Sequence, residues 1–157
     1  MSKLLGLLVA GAILSSSSAI AQADDPWAAM DWSLAKGSNT IRGSALLRTR
    51  GGEVRTCAGY PVRLIPSASQ TDSYIAKAFG SDEGGISRSP WRSQFGEYTR
   101  TTTCDAQGNF SFENLPDGRY FAIAQVQWEV LREQQGGLIA QLVRVRDGQV
   151  KSVVLTQ

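Results

Sequence analysis

The stretch CDAQGNFSFENLPDGRYF, Cys104–Phe121, decides the fold. Its segment Asp105–Gly108 carries Asp at the first position and Gly at the fourth, which favours a type I turn. Phe110 and Phe112 then share one face of a strand, because side chains alternate along an extended chain. The segment Asn114–Gly118 supplies a second turn, in which Pro fixes φ and Gly permits a positive φ. This stretch therefore predicts a β-strand held between two tight turns.

Strand patterns continue on both sides of this stretch. The segment RYFAIAQVQWEV, 119–130, is long enough for a central strand, and one face would carry Tyr120, Ala122, Ala124, Val126 and Trp128. Its other face carries Phe121 and Ile123, then Gln125 and Gln127, so we expect that face to be covered at one end and solvated at the other. Further strands are predicted at 38–49, 59–66 and 97–104, with a terminal hairpin at 138–146 and 149–156. About seven strands without crossover helices predict an all-β antiparallel sandwich.

The N-terminus has the pattern of a cleavable secretory signal. Residues 1–23 contain one basic residue, Lys3, then an apolar run from Leu4 to Leu14, and end in Ala-Gln-Ala, which predicts cleavage after Ala23. A retained membrane anchor is the alternative, although the apolar run is short for a bilayer span. No cysteine follows the small residues, which argues against a lipid anchor. We expect a periplasmic or secreted protein, with no stable membrane insertion once the signal is removed.

The predicted mature chain divides into a short N-terminal segment and one sandwich domain. In residues 24–37, Asp25 could cap a short helix that begins at Pro26, and Trp27, Met30 and Leu34 would share its face. Residues 38–157 form the sandwich. Residues 67–96 are rich in Ser, Gly and Asp and are predicted to be one long inserted loop, in which only 71–79 could make a helical turn or two.

Cysteine and histidine usage limits the chemistry. Cys57 and Cys104 are the chain's two cysteines, and an oxidising compartment favours a disulfide between them; their long spacing disfavours a redox-active or metal-binding pair. Histidine is absent, which excludes a His base, His-ligated zinc or iron, and imidazole acid–base catalysis. The acidic pairs Asp82 with Glu83 and Glu129 with Glu133 lie in or beside predicted loops and are interpreted as solvated. We therefore predict no enzymatic activity, no catalytic residue, no cofactor and no metal.

Charge gives no sign of nucleic-acid binding. The full chain has sixteen basic and fourteen acidic residues, and the signal would take one basic residue with it. The arginines are scattered among polar and acidic neighbours instead of forming a run, which is typical of a solvated surface.

The quoted stretch also resembles a known family. Phe-x-Phe-x-x-Leu-Pro-x-Gly-x-Tyr is similar to the recurrent pattern of the carboxypeptidase regulatory-like domain, a transthyretin-like (prealbumin-like), Ig-like β-sandwich. Residues 41–66 resemble that family's opening strands and 143–156 its closing strands, so the resemblance covers about 39–156 and leaves 67–96 unmatched. It implies a non-catalytic accessory, adhesive or ligand-binding module. Peptidase activity is not implied, because the catalytic domain beside which such modules occur is missing, and hydrolases and dioxygenases of related fold depend on histidines.

Two functional hypotheses follow. The first is an exported module that mediates protein–protein interaction, or has an accessory structural role, in the cell envelope, through a sheet edge or the 67–96 loop. The alternative is a carbohydrate-binding module that uses loop aromatics around Trp91. Trp27 and Trp32 are expected to dock the N-terminus and Trp128 to lie in the core. The partner would be an unknown envelope protein or a glycan, and the candidate contact residues are Trp91, Arg92, Phe95, Tyr98 and Tyr74.

Overall fold

The computed structural model describes residues 25, 27–89, 91 and 95–157. The predicted signal segment 1–23 and the candidate residue Arg92 lie outside the described residues. Two β-sheets face each other across a continuous apolar core, which confirms the predicted all-β sandwich. In the described part of the chain no helix is long and apolar enough to cross a membrane.

The described residues form nine strands and one α-helix. The strands are β1 Asn39–Arg48, β2 Val54–Thr56, β3 Pro61–Pro66, β4 Gly84–Ser87, β5 Arg100–Thr103, β6 Asn109–Leu115, β7 Gly118–Val130, β8 Glu133–Val145 and β9 Val150–Leu155. The helix α1 spans Ser69–Phe79, and two 3₁₀ helices span Ala28–Leu34 and Gly96–Tyr98. Seven of the strands were predicted. The two additional ones, β2 and β4, have three and four residues, too few to show an alternating pattern in the sequence.

The first sheet is organised around β1, which pairs with β2 and β6 antiparallel and with β9 parallel. The second sheet has the order β4-β8-β7-β3-β5, and every pairing in it is antiparallel. The long strand β7 lies at its centre, as predicted. The β1–β9 pairing is the exception to the predicted antiparallel arrangement. The predicted terminal hairpin was wrong, because β9 crosses to the first sheet and pairs with β1, whereas β8 pairs with β4 and β7 in the second.

The main core lies between the sheets and is filled from alternate positions. Phe110 and Phe112 of β6 are buried, whereas Ser111 and Glu113 are exposed, as the alternation predicted. From β7 the same core receives Tyr120, Ala122, Ala124 and Val126, with Trp128 partly buried at its margin. The predicted disulfide between Cys57 and Cys104 is present, with Cα atoms 5.7 Å apart. Such a bond persists in oxidising compartments, which fits export.

A second core covers one end of the outer face of the five-stranded sheet. Ile75 and Phe79 of helix α1 pack against Phe121 and Ile123 of β7, and all four residues are buried. The prediction of an inserted loop at 67–96 was therefore incomplete, because this segment contains an eleven-residue helix and the edge strand β4. The helix begins where the Thr71 Oγ1 accepts the Ala68 N–H at 2.8 Å and donates to the Pro66 carbonyl at 2.7 Å. These contacts depend on the position of β3, so the local sequence does not reveal them.

The N-terminal segment forms a helix, although of the 3₁₀ type. Residues three apart share a face in such a helix, so Met30 is buried together with Ser33, and Leu34 is 49% exposed. The prediction that Leu34 packs beside Met30 was therefore wrong. Trp32 packs edge-on against Tyr120, with ring centroids 5.2 Å apart, which docks the segment onto the sandwich as expected.

Candidate functional site

The outer face of β7 has an uncovered end, and a cavity lies there. Helix α1 covers Phe121 and Ile123, and the next two residues on the same face, Gln125 and Gln127, are half-buried. They line a cavity of about 370 Å³. Its other described lining residues are Arg63, Arg88, Ser89, Trp91, Gly137 and Leu138. The change from apolar to polar residues that the sequence shows along β7 thus marks the floor of the cavity.

The two glutamines form an ordered polar floor. The Gln125 Nε2 donates to the Gln127 Oε1 at 2.9 Å. This bond orients both side-chain amides. Within the described part of the chain, the Gln125 Oε1 and the Gln127 Nε2 have no other hydrogen-bond partner. The floor therefore offers one acceptor and one donor group side by side.

Arg63 forms one wall. It lies on β3, opposite Ile123 in the register with β7, and its neighbours Val62 and Leu64 point to the opposite face, into the main core. Its Nη1 atom is buried and has no hydrogen-bond partner among the described residues. Burial lowers the pKa of Arg63, and interaction with Tyr74 opposes that shift. Arginine nevertheless stays protonated at neutral pH, so the wall carries a positive charge that is partly removed from water.

Trp91 forms the aromatic part of the site. The Arg63 Cζ lies 5.3 Å from the centroid of the Trp91 ring, a cation–π contact. Tyr74 of α1 packs edge-on against Trp91 at 5.8 Å between centroids, and Phe95 lies 6.4 Å away. Trp91 is half-buried and lines the cavity, so its ring is held by neighbours and also faces open space.

Four of the five predicted contact residues are described, and they fall into two groups. Trp91, Tyr74 and Phe95 form one aromatic cluster. Phe95 and Tyr98 are only 2% and 8% exposed and belong to the second core, which leaves little ring surface for a ligand. The Tyr98 hydroxyl donates to the Asp31 Oδ1 at 2.7 Å and so ties the N-terminal 3₁₀ helix to this core. Trp91 therefore remains the candidate aromatic contact, with Tyr74 as its support.

Five polar lining residues were absent from the predicted site: Arg63, Arg88, Ser89, Gln125 and Gln127. Gln125 and Gln127 carried a signal, since they break the apolar pattern of β7. Arg63 and Arg88 carried none, because only strand pairing brings them to the cavity. Arg88 follows β4, whose Ser87 pairs with Leu138 of β8. Gly137 permits this close approach, since a Cβ at that position would collide with the Ser87 carbonyl oxygen.

Two other depressions, of about 540 and 220 Å³, also combine an indole, Trp128, with arginine and glutamine side chains, but neither is lined by the bonded pair of Gln125 and Gln127 or by Arg63 against Trp91. Another, of about 620 Å³, lies mainly over the four-stranded sheet, and among its described lining residues the aromatic one, Phe110, is only 5% exposed. The cavity of about 220 Å³ adjoins the candidate site through the shared residue Arg88 and is lined by Trp128, Arg48 and Arg50. Trp128 is thus partly open, whereas the sequence placed it in the core. The carboxylates of Asp82, Glu83, Glu129 and Glu133 are all on exposed residues.

Comparison with known proteins finds similarity at the level of the fold. A crystal structure from Pseudomonas aeruginosa, described as a "putative carbohydrate binding protein", matches with a TM-score of 0.67 and 22% sequence identity, over 85% of this chain and 98% of that chain. At this identity the likeness concerns the fold alone. No family model and no curated protein matches the sequence. The resemblance to the carboxypeptidase regulatory-like family therefore stays a prediction, and the architecture shared with the Pseudomonas protein is the finding.

Proposed function

We propose that this protein binds carbohydrate in the cavity beside Trp91. The observation that carries the proposal is the composition of the site: one indole, two guanidinium groups and a hydrogen-bonded pair of glutamine amides around a single cavity. An indole face packs against the C–H face of a pyranose ring. Planar amide and guanidinium groups can each hydrogen-bond two neighbouring hydroxyls, because their donors and acceptors are spaced similarly.

The size and rigidity of the site support a small-molecule ligand. Its volume of about 370 Å³ lies near the lower end of the range typical of ligand pockets, about 300–1,000 Å³. Gln125, Gln127 and Arg63 all project from paired strands, so their positions are fixed by the sheet. A preformed polar floor reduces the entropy lost on binding. The description of the Pseudomonas protein of similar fold supports this proposal, as do the sugar-binding relatives of the predicted family.

Tryptophan fluorescence during titration with a panel of neutral and acidic oligosaccharides tests the proposal. We expect a change of intensity with at least one sugar, and loss of that change in Trp91→Ala. Trp27→Ala is the matched control, since Trp27 contacts Phe95 at 5.9 Å but does not line the cavity. Trp27→Ala should therefore keep the ligand response.

The glutamine floor gives a second, independent readout. Gln127→Ala removes a lining amide and should weaken binding by about 2- to 10-fold, the usual net effect of one hydrogen bond. Gln134→Ala removes the same group from an exposed position of β8 outside the cavity and should leave affinity unchanged. Absence of any response across the panel, or equal weakening by both variants, would contradict the proposal.

A further inference from the structure

The charges of the candidate site are all of one sign. Two of its described lining residues, Arg63 and Arg88, carry guanidinium groups, and none carries a carboxylate. The ion pairs recorded for the described residues involve Arg55, Arg119 and Arg146, so neither cavity arginine is neutralised in this way. A ligand entering the cavity therefore meets a net positive field.

Arg63 is the more informative of the two. Its Nη1 is buried without a hydrogen-bond partner among the described residues, although a buried charged donor normally has one. The Trp91 ring compensates part of this charge, but a buried donor without a hydrogen bond is costly, and an anion would supply both the hydrogen bond and an opposite charge. A carboxylate suits a guanidinium best, because two oxygens can accept two parallel N–H bonds.

Positive charge continues beyond the cavity. Arg88 is exposed and lines both this cavity and the adjoining one, whose described lining adds Arg48, Arg50 and the partly open Trp128. A third depression, of about 540 Å³, shares Arg50, Arg88 and Trp128 and is lined also by Glu53 and Glu133. The adjoining cavity itself has no acidic side chain in its described lining. The surface therefore offers two aromatic groups with arginines between them, an arrangement suited to a charged ligand longer than one sugar.

We infer that the ligand of this site is an acidic oligosaccharide, with a uronic-acid carboxylate held by Arg63 and further carboxylates held by Arg88. The inference rests on the proposed carbohydrate binding and narrows it to one ligand class. Salt should weaken the interaction, because Arg88 is exposed and its charge is screened by ions.

Calorimetric titration with trigalacturonic acid and with its methyl ester tests the inference. The two probes have the same sugar chain, and only the first is charged. We expect the acid to bind at least about tenfold more tightly, the range for charge-assisted hydrogen bonds. Arg63→Gln should remove most of that difference between acid and ester, and Arg88→Gln, at an exposed position, should reduce the difference without affecting folding.

Arg144→Gln is the matched control. Arg144 is exposed and shares the outer face of β8 with Leu138 and Ala140, but it does not line the cavity. The control should leave both affinities unchanged. Equal loss of acid binding in Arg144→Gln, or equal competition by dextran sulfate in the wild type and in Arg63→Gln, would indicate nonspecific polyanion binding and overturn the inference.

The remaining outcomes separate the inference from the proposed function. If acid and ester bind equally and both depend on Trp91, the site binds carbohydrate and the acidic preference is refuted. If no member of the panel binds and Trp91→Ala changes nothing, the proposed function itself fails. Thermal melting of Arg63→Gln distinguishes loss of a contact from loss of the fold.

Discussion

Replacing Asn39 with aspartate should make the stability of the protein strongly dependent on pH. Asn39 is fully buried at the start of β1. Its Nδ2 donates to the Leu115 carbonyl at 3.0 Å and to the Asp117 Oδ1 at 2.8 Å, and its Oδ1 accepts the Gln149 N–H at 2.8 Å. One side chain thereby joins β1 to the turn before β7 and to the turn before β9. Asn39→Asp keeps its shape and replaces both donors with a carboxylate.

The expected cost follows from the distance to Asp117. Two carboxylates about 2.8 Å apart repel by about 6 kcal/mol at an effective dielectric constant near 20. The introduced carboxyl can avoid this repulsion by taking up a proton, which costs about 4 kcal/mol at pH 7 for a group whose unfolded pKa is near 3.9. The smaller cost applies, so Asn39→Asp should lower the free energy of unfolding by about 4 kcal/mol at pH 7.

The pH dependence has a definite sign. The folded protein raises the pKa of the introduced carboxyl, so the folded state binds more protons than the unfolded state above pH 4. The loss of stability should therefore be small near pH 3, grow as pH rises through about 4, and level off above the raised folded pKa. Urea unfolding of the wild type and the variant between pH 3 and 8 measures this difference.

Asn109→Asp is the matched control. Asn109 also donates its Nδ2 to a carboxylate, the Asp105 Oδ2 at 3.2 Å, but it is exposed on β6. Water screens the new charge there, so the loss should stay below about 1 kcal/mol at all pH values. Equal losses for the two variants at pH 7, or a loss at Asn39 that does not decline in acid, would refute the assigned role of burial.

Three further perturbations test the structure. Replacing Cys57 and Cys104 together by serine should lower the free energy of unfolding by about 4 kcal/mol, the chain-entropy value for a separation of 47 residues, and a loss below about 1 kcal/mol would contradict it. Gly118→Ala places a methyl group against the Trp32 ring and should undock the N-terminal helix at a cost of about 1–3 kcal/mol, seen as a loss of near-ultraviolet circular dichroism, whereas Gly51→Ala, whose methyl group would lie at an ordinary contact distance of 3.8 Å from the Thr49 Oγ1, should not. The hydrogen bond to Asp31, together with burial, raises the pKa of Tyr98 to about 12, so its stabilising effect is complete below pH 10 and is lost as pH rises through 12. Ultraviolet titration should show one tyrosine shifting to lower pKa in Asp31→Asn, and an unchanged titration would contradict this contact.

The hypothesis of a protein–protein interaction module stays a prediction. β4 pairs with β8 and α1 packs on the outer face, so residues 67–96 cover both an edge and a face of the five-stranded sheet. Removing this segment would expose Phe121 and Ile123. Point substitutions on the exposed side of α1, such as Lys77→Glu, therefore test partner binding more cleanly than a deletion does.

The elements that could be predicted from the sequence are those that local rules govern. Alternation along 119–130 identified the central strand β7 and both of its faces, because strand periodicity is a property of the backbone. The turns at 105–108 and 114–118 followed from Asp, Pro and Gly, whose backbone preferences need no tertiary contact. The cysteine pairing followed from the presence of just two cysteines in a chain predicted to be exported.

The position and composition of the candidate site depend on contacts between segments that lie far apart in the sequence. Arg63 and Gln127 are far apart in the chain, and the pairing of β3 with β7 places both on one face of the sheet. Arg88 reaches the same cavity because β4 pairs with β8. The sequence of β4, Gly-Gly-Ile-Ser, does not predict this pairing. Register and helix docking are set by the summed packing of the whole core, whereas a sequence pattern records only what each segment prefers locally. The sequence therefore predicted the sandwich and the solvated end of one face of β7. The strand pairings then bring Arg63 and Arg88 to that end, beside Trp91.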